Sequence, residues 1–200
     1  MQIQTIIDHI QSHTPWVDYC KTRDFILIDG GGSEVSQVAV CWVATMKVIE
    51  ECIRQDIHFI ISHENCLYVE TTAPYKTMKD LRDQKIKLCQ KHQITIYRCH
   101  DGWDQFPVYG VADSLARSTG IPFDERPVSS FYHYATIEKE TVSELAEKLA
   151  KALKPHGCGY VEILGDPDQR VTKLGMGVGA AMNSQIMMLE NVDCMILADD

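Results

Sequence analysis

The sequence has no long apolar run, no run of basic residues and no leader peptide pattern. Because no window approaches the ~18 uninterrupted apolar residues of a membrane helix, we expect no membrane span. Lys and Arg number 19 against 28 Asp and Glu, a net charge of -9, and this acidic balance argues against nucleic-acid binding. The first residues, MQIQTIIDHIQSH, lack the basic start and apolar core of a signal peptide, so we expect a cytoplasmic protein.

The cysteines lack the spacings that hold structural metals. There are eight, but they form no CxxC pair and no zinc-ribbon pattern. Several stand inside apolar runs, such as Cys41 in VAVCWVA and Cys194 in DCMILA. This setting favours small, reduced core side chains over a disulfide framework.

What the sequence does have is a regular alternation of strand and helix patterns. Residues 3–13 have helical spacing, and the short apolar run FILI (25–28) predicts a strand. The unit that follows is strand–helix–strand, which is typical of a parallel sheet. The unit consists of a strand at VSQVAVCWVA (35–44), a helix from Met46 to Gln55 capped by Thr45, and a strand at IHFIIS (57–62). A helix over 76–91 and a strand at ITIYRC (94–99) follow it.

The alternation resumes after a stretch around residues 121–128, which is the best candidate for a domain boundary. A helix is predicted over Val108–Thr119, just before that stretch. Beyond it we predict strands at 131–137, 160–164, 171–176 and 193–198, a helix over Thr141–Leu153 and, after Gly177-Val178-Gly179, a helix that ends at Leu189. We therefore predict an α/β protein with mixed, mainly parallel sheets flanked by helices. Residues 1–125 form the first lobe, and residues 126–200 form a second α/β segment.

Two strands of the first lobe end in the same kind of motif. IHFIIS is followed by His63 and Glu64, and ITIYRC by His100 and, four residues later, Asp104. The carboxyl ends of parallel strands face a common crevice, which brings such groups together. Imidazole nitrogen with carboxylate oxygen suits zinc, iron or manganese, and a carboxylate can bridge two ions. The alternative is that each His is an ordinary polar residue facing a loop.

These motifs also resemble a known family. FIISHENCLY and CHDGWD are similar to the two metal-binding signatures of the Nif-three-like proteins, often called GTP cyclohydrolase type 2 homologues. VTKLGMGVGAA with NVDCMILADD resembles a later part of the same family. The resemblance implies two similar α/β lobes, a site with two divalent ions, and a homo-oligomer, in this family a toroidal hexamer.

Carried over by position, the resemblance assigns metal ligands. His63 matches the first ligand, and Glu64 stands where many members have a second His and some have Glu. His100 matches the later His, and Asp104 matches the Asp that bridges the ions, with Asp101 as the alternative if the register shifts. Glu64 could also act as the general base on water.

One departure concerns the ligands that the family takes from further downstream. These are a His and a Glu beyond the strand in which this chain ends, so the resemblance predicts a fragment or a shortened member with an incomplete site. Four ligands hold one ion, and the second is then weak or absent. Cys66, three residues after His63, is a further soft ligand to consider.

The sequence favours a metal-dependent hydrolase acting on a small molecule that no residue identifies. The main alternative is a non-enzymatic, metal-dependent scaffold or regulatory protein. A weaker alternative is dinucleotide binding, because Gly175-x-Gly177-x-x-Ala180 precedes a predicted helix and Asp199 ends the next strand. A glycine turn that serves helix packing explains that pattern more simply.

Overall fold

The computed structural model describes residues 1–67, 76–127, 130–179 and 191–198. It has two sheets, one of four strands and one of three. The helices are α1 (Ile3–Ser12), α2 (Met46–Arg54), α3 (Lys76–Lys91), α4 (Asp101–Asp104), α5 (Val111–Thr119) and α6 (Val142–Leu153). The strands are β1 (Ile26–Ile28), β2 (Ala39–Cys41), β3 (Phe59–Ser62), β4 (Thr95–Arg98), β5 (Tyr132–Thr141), β6 (Arg170–Val178) and β7 (Cys194–Ala198).

The first sheet has the strand order β1-β4-β3-β2. Strands β2, β3 and β4 run parallel, as the strand–helix–strand pattern predicts, and β1 is antiparallel to β4. Thr45 caps α2 by accepting a hydrogen bond from the Val48 amide, which satisfies one of the amides that a helix start leaves unpaired. Ile49 and Cys52 of that helix then pack on Ile60 of β3 in one buried core.

The register between β3 and β4 determines where the two sequence motifs emerge. Ser62 of β3 pairs with Arg98 of β4, the last residue of each strand. His63 therefore leaves β3 at the same edge of the sheet at which Cys99 and His100 leave β4. Parallel strands in this register bring the motifs together without any further requirement on the loops.

The second sheet has the order β5-β6-β7, with β5 antiparallel and β7 parallel to β6. Thr141 and Glu144 form a capping box at the start of α6, so the chain passes directly from β5 into that helix. Leu145 and Leu149 of α6 pack against Val171 and Leu174 of β6. The fold is thus the mixed α/β arrangement with helix-flanked sheets that the sequence predicts.

The chain divides into two compact units, Met1–Trp103 and Asp104–Asp200. The units divide earlier than residues 125/126 because α5 packs with α6, β5 and β6. The lobe boundary at 125/126 stays a prediction about domains. Within the described residues, no helix combines the length and the apolar character that crossing a membrane requires.

Three sequence predictions differ from the structure or lie outside it. No strand forms at 160–164, where Tyr160 is 81% and Leu164 87% exposed; a strand needs a neighbour for its amides and carbonyls, and no described strand pairs there. Strand β6 runs through Gly177 to Val178, so those two residues are not a turn. The helix expected to reach Leu189 lies outside the described residues.

Candidate metal centre

The two histidines that the sequence singles out lie against one another. The imidazole rings of His63 and His100 stack with their centroids 4.7 Å apart and their planes 16° from parallel. Each offers a ring nitrogen, and Asp104 a carboxylate oxygen, such that these atoms all lie within 4.8 Å of one another. The expected convergence of the 63 and 100 motifs is therefore confirmed, and the three residues form a group that could hold a metal ion.

His63 is buried and its ring is held on two sides. Its Nδ1 lies 3.2 Å from the backbone carbonyl oxygen of Cys99, and Trp42 also stacks on the ring, at a centroid distance of 4.1 Å. Because a carbonyl oxygen can only accept, Nδ1 of His63 carries the proton. In the neutral ring, Nε2 is then the nitrogen with the lone pair that a metal needs.

His100 also carries its proton on Nδ1, where a carboxylate accepts it. Its Nδ1 lies 2.9 Å from Asp101 Oδ1, while Asp101 Oδ2 accepts from the Thr22 hydroxyl and the Arg23 amide, each at 2.9 Å. Burial works to raise the pKa of Asp101, but the hydrogen bonds from His100, Arg23 and Thr22 outweigh it and hold that pKa below its usual value. Asp101 therefore acts as the orienting partner of a histidine, which is how metal-ligating imidazoles are commonly held.

The backbone that carries His100 is fixed by a residue far away in sequence. The buried Asp24 accepts hydrogen bonds from the amides of His100 and Asp101, each at 2.7 Å, and from that of Gly102 at 2.8 Å. A Cβ on Gly102 would stand 3.0 Å from Asp24 Oδ2 and 3.2 Å from a Thr14 methyl, so glycine permits the close approach. The sequence analysis missed Asp24; an acidic residue directly before FILI is a weak signal.

Glu64 reaches both imidazoles and is also tied to an arginine. Its Oε1 lies 3.4 Å from His100 Nε2 and 3.9 Å from His63 Nε2. Its Oε2 accepts from Arg98 Nη2 at 2.9 Å, and Arg98 Nε donates to the His63 carbonyl oxygen at 3.2 Å. Glu64 thus lies beside the group of three without belonging to it. The sequence analysis also missed Arg98, because an arginine at a strand end carries no motif.

The donor set fits a divalent cation. Both imidazoles are held through Nδ1, so Nε2 is the ring nitrogen that each would offer to a metal. Together with a carboxylate they form the mixed nitrogen and oxygen set that suits zinc, iron or manganese. Cys66 is described by the structure but is not in this group. Burial raises the pKa of its thiol, which keeps it protonated and a poor metal ligand.

The glycine pattern at 175–180 does not form the loop of a dinucleotide site. Gly175 and Gly177 both lie inside β6, whereas that fingerprint needs its glycines in the turn between a strand and a helix. At Gly175 the space that a side chain would take is filled by Met195 Sδ of the neighbouring strand. Ala180 and Asp199, the rest of the pattern, lie outside the described residues.

Solved structures with this fold come from several organisms. Staphylococcus aureus protein SA1388 has a TM-score of 0.73 at 16% identity, with 100% of this chain and 80% of that one covered. A Bacillus cereus protein related to NIF3 has a TM-score of 0.71 at 13% identity, covering 100% and 83%. Reduced HcgD from Methanocaldococcus jannaschii has a TM-score of 0.64 at 14% identity, covering 100% and 79%.

At these identities the structural neighbours show the fold alone, and no curated protein matches the chain. The family is shown by the sequence itself, since one family model matches residues 1–199. That match confirms the resemblance found in FIISHENCLY and CHDGWD: the chain belongs to the Duf34/NIF3 (NGG1p interacting factor 3) family.

Proposed function

We propose that this protein binds a divalent cation through His63, His100 and Asp104, with Glu64 as a fourth donor. The observation that carries the proposal is the shared orientation of the two imidazoles. Each ring commits Nδ1 to an acceptor, Cys99 O for His63 and Asp101 Oδ1 for His100. Two stacked histidines that serve only packing have no reason both to bond through Nδ1 and to meet a carboxylate.

The reaction class that fits such a centre is hydrolysis of a small molecule. A divalent cation polarises the group under attack and makes water more acidic. The chain supplies the rest: Glu64 Oε1, facing both Nε2 atoms, is placed to contact the cation or to take a proton from water, and Asp101 keeps His100 in one tautomer. A centre of two ions and a homo-oligomer are finer proposals, supported by the family resemblance.

The proposed location is the cytoplasm, and the thiols support it. All eight cysteines are free, as expected in a reducing compartment.

The test is metal content per chain, measured by elemental analysis after purification without chelators. The native protein should carry about one or two ions, and His63→Ala clearly fewer. His156→Ala is the matched control, because His156 is exposed and lies outside the group. Native protein without metal after supply of zinc, iron and manganese would sink the proposal.

Activity is tested separately on the metal-loaded protein. Phosphoesters and cyclic amides are incubated with native protein and with Glu64→Gln, and turnover that needs both the metal and Glu64 supports a hydrolase. Full metal occupancy without turnover of any of these substrates favours the non-enzymatic role, in which the metal centre stabilises a scaffold or a regulatory surface.

A further inference from the structure

We propose that residues 160–164, with the sequence Tyr-Val-Glu-Ile-Leu, are an interface at which a second copy of this chain pairs with the first as an antiparallel strand. These residues, here called the pairing segment, are the predicted strand that the structure leaves without a neighbour. The inference goes beyond the proposed metal centre, since no residue of the segment belongs to that group. It assigns the homo-oligomer proposed above to one particular surface.

The side chains of the pairing segment leave a large apolar surface in water. Tyr160 is 81% and Leu164 87% exposed, whereas Val161 and Ile163 are better covered. Because alternate residues of a strand point to opposite faces, Tyr160, Glu162 and Leu164 would share the outer face. Soluble proteins normally keep exposed strand-forming segments of this composition short, charged or covered, so this surface calls for a partner.

The backbone of the pairing segment is available as well. Within the described residues, no hydrogen bond joins an amide or a carbonyl of residues 161–164 to another residue. The chain on either side is fixed to α6, because the Cys158 amide donates to the Leu153 carbonyl oxygen and the Ser143 amide donates to that of Pro167. A segment held at both ends loses less conformational entropy on pairing than a free tail does.

The order of the residues fits a second copy of the same segment. Two apolar residues stand on each side of Glu162, so the pattern is the same when it is read in either direction. In an antiparallel pair centred on Glu162, Tyr160 lies opposite Leu164 and Val161 opposite Ile163, and two-fold symmetry forms each pair twice. Cross-strand pairs of aromatic and β-branched residues with other apolar residues stabilise a sheet.

The charges that flank the pairing segment complement one another in the same arrangement. Lys154 and His156 precede it and Asp166 and Asp168 follow it, and all four are exposed. Antiparallel pairing brings the basic side of one copy beside the acidic side of the other, whereas parallel pairing would bring the two acidic sides together. Like charges then meet only at the centre, where Glu162 faces its own copy, at the cost of one like-charge pair across two strands.

The first experiment measures the mass of the assembly by analytical ultracentrifugation. Wild type is expected to sediment as a dimer or a multiple of one, and Leu164→Asp at half the wild-type mass. Val40→Asp is the matched control, because Val40 is 76% exposed in β2 of the other sheet, and it should keep the wild-type mass. Glu162→Gln removes the like charges at the centre and should tighten association about twofold to fivefold.

The second experiment tests the register by cross-linking in a Cys158→Ser background, since Cys158 is exposed and close to the segment. Only residue 162 lies opposite itself, so Glu162→Cys should form a disulfide between two copies when copper phenanthroline is added as the oxidant. Asp166→Cys is the control, because eight residues of strand, ~27 Å, would separate its two copies. Non-reducing electrophoresis detects the product, and this measurement does not depend on how Leu164→Asp folds.

Three results overturn the inference. They are a monomeric wild type, a folded Leu164→Asp that keeps the wild-type mass, and a Glu162→Cys that cross-links no better than Asp166→Cys. With a monomeric wild type, an extended peptide of another protein becomes the occupant. Failure of the proposed function looks different: Leu164→Asp should bind Mn²⁺ as wild type does, and an intact assembly that binds no metal contradicts the metal centre alone.

Discussion

Two clusters in this protein combine histidine, aspartate and arginine, and they differ in how their donors are used. The first is the imidazole pair, His63 and His100, with its neighbours Asp101 and Arg98. The second, here called the Asp113 cluster, consists of Asp113, Arg126 and His133. In the second cluster two nitrogens lie near the same oxygen, Asp113 Oδ1: Arg126 Nε at 2.8 Å and His133 Nε2 at 3.0 Å. The contact from His133 does not have the alignment of a hydrogen bond.

The polar groups of Asp113 and Arg126 bond to other groups of the same chain. Asp113 Oδ2 accepts from the Val108 amide, and Arg126 also donates to the backbone carbonyls of Gln105 and Ser130. The cluster has one imidazole, whereas the imidazole pair has two that face a common point. The residue types are alike in the two places, so convergence of several donors is what distinguishes the candidate metal centre from the internal ion pairs of the Asp113 cluster.

The largest expected effect is a loss of stability when the Asp113 cluster is changed. Arg126→Met removes the cation from a largely buried ion pair and leaves the Asp113 carboxylate without its permanent counter-charge, which should lower the free energy of unfolding by about 3 kcal/mol. Metal affinity should not change. Urea unfolding and Mn²⁺ titration of the same preparation test both halves. If Arg126→Met kept full stability but lost metal, the Asp113 cluster rather than the imidazole pair would be the metal site.

A comparable effect on metal affinity is expected at the imidazole pair. His100→Ala removes one of the four proposed donors and should weaken binding of the divalent cation about 100-fold or more. His133→Ala is the matched control, since it removes a buried histidine of the other cluster and should leave affinity within about threefold. Equal losses in both variants would show that the comparison between the clusters is wrong.

A smaller effect should follow from the orienting carboxylate. Asp101→Asn keeps the shape of the side chain but removes the charge that holds His100 Nδ1, and metal affinity should fall about tenfold to 100-fold. Calorimetry with Zn²⁺ measures this change. Asp113→Asn, the equivalent change in the other cluster, should alter the free energy of unfolding and not the affinity.

The smallest expected effect is a change in how the free energy of unfolding depends on pH. Burial lowers the pKa of His133 below its usual value, so between that lowered pKa and about 6.5 the unfolded chain holds a proton that the folded one lacks. Stability should therefore fall as the pH drops below about 6.5, by at most about 1.4 kcal/mol per pH unit for this one proton. His133→Gln should show a flatter slope than wild type in urea unfolding at pH 7.5, 6.5 and 5.5 with chelator present. A slope as steep in the variant would remove His133 from this account.

The sequence predicts the elements whose signals are local. Thr45 before an apolar helical stripe and Thr141 with Glu144 at the start of α6 identify helix starts by their own chemistry, and the structure has both caps. IHFIIS reads as a strand buried on both faces, and β3 is one, paired on either side. Residues 160–164 have equally good strand residues and form no strand, because a strand depends on a neighbour that the residues themselves cannot specify.

The candidate site divides in the same way. His63 and His100 are visible in the sequence because each follows an apolar strand, and parallel pairing explains why they meet. Asp24, Arg98 and Trp42 are not visible, since each acts through a contact with a residue at least about twenty positions away in the chain. Such contacts become apparent only when the register of β3 and β4 is known.

The three amide bonds accepted by Asp24 have a consequence for how the protein comes into being. Asp24 and His100 are separated by 76 positions, so the loop that carries His100 is fixed only after the segment before β1 has docked beside β4. A nascent chain that has just released His100 from the ribosome already holds Asp24, but Asp104 and the helix that ends with it are still to follow. If the site binds a cation as proposed, we therefore expect binding to follow assembly of the first sheet, because the backbone of His100 is fixed only by that contact with Asp24.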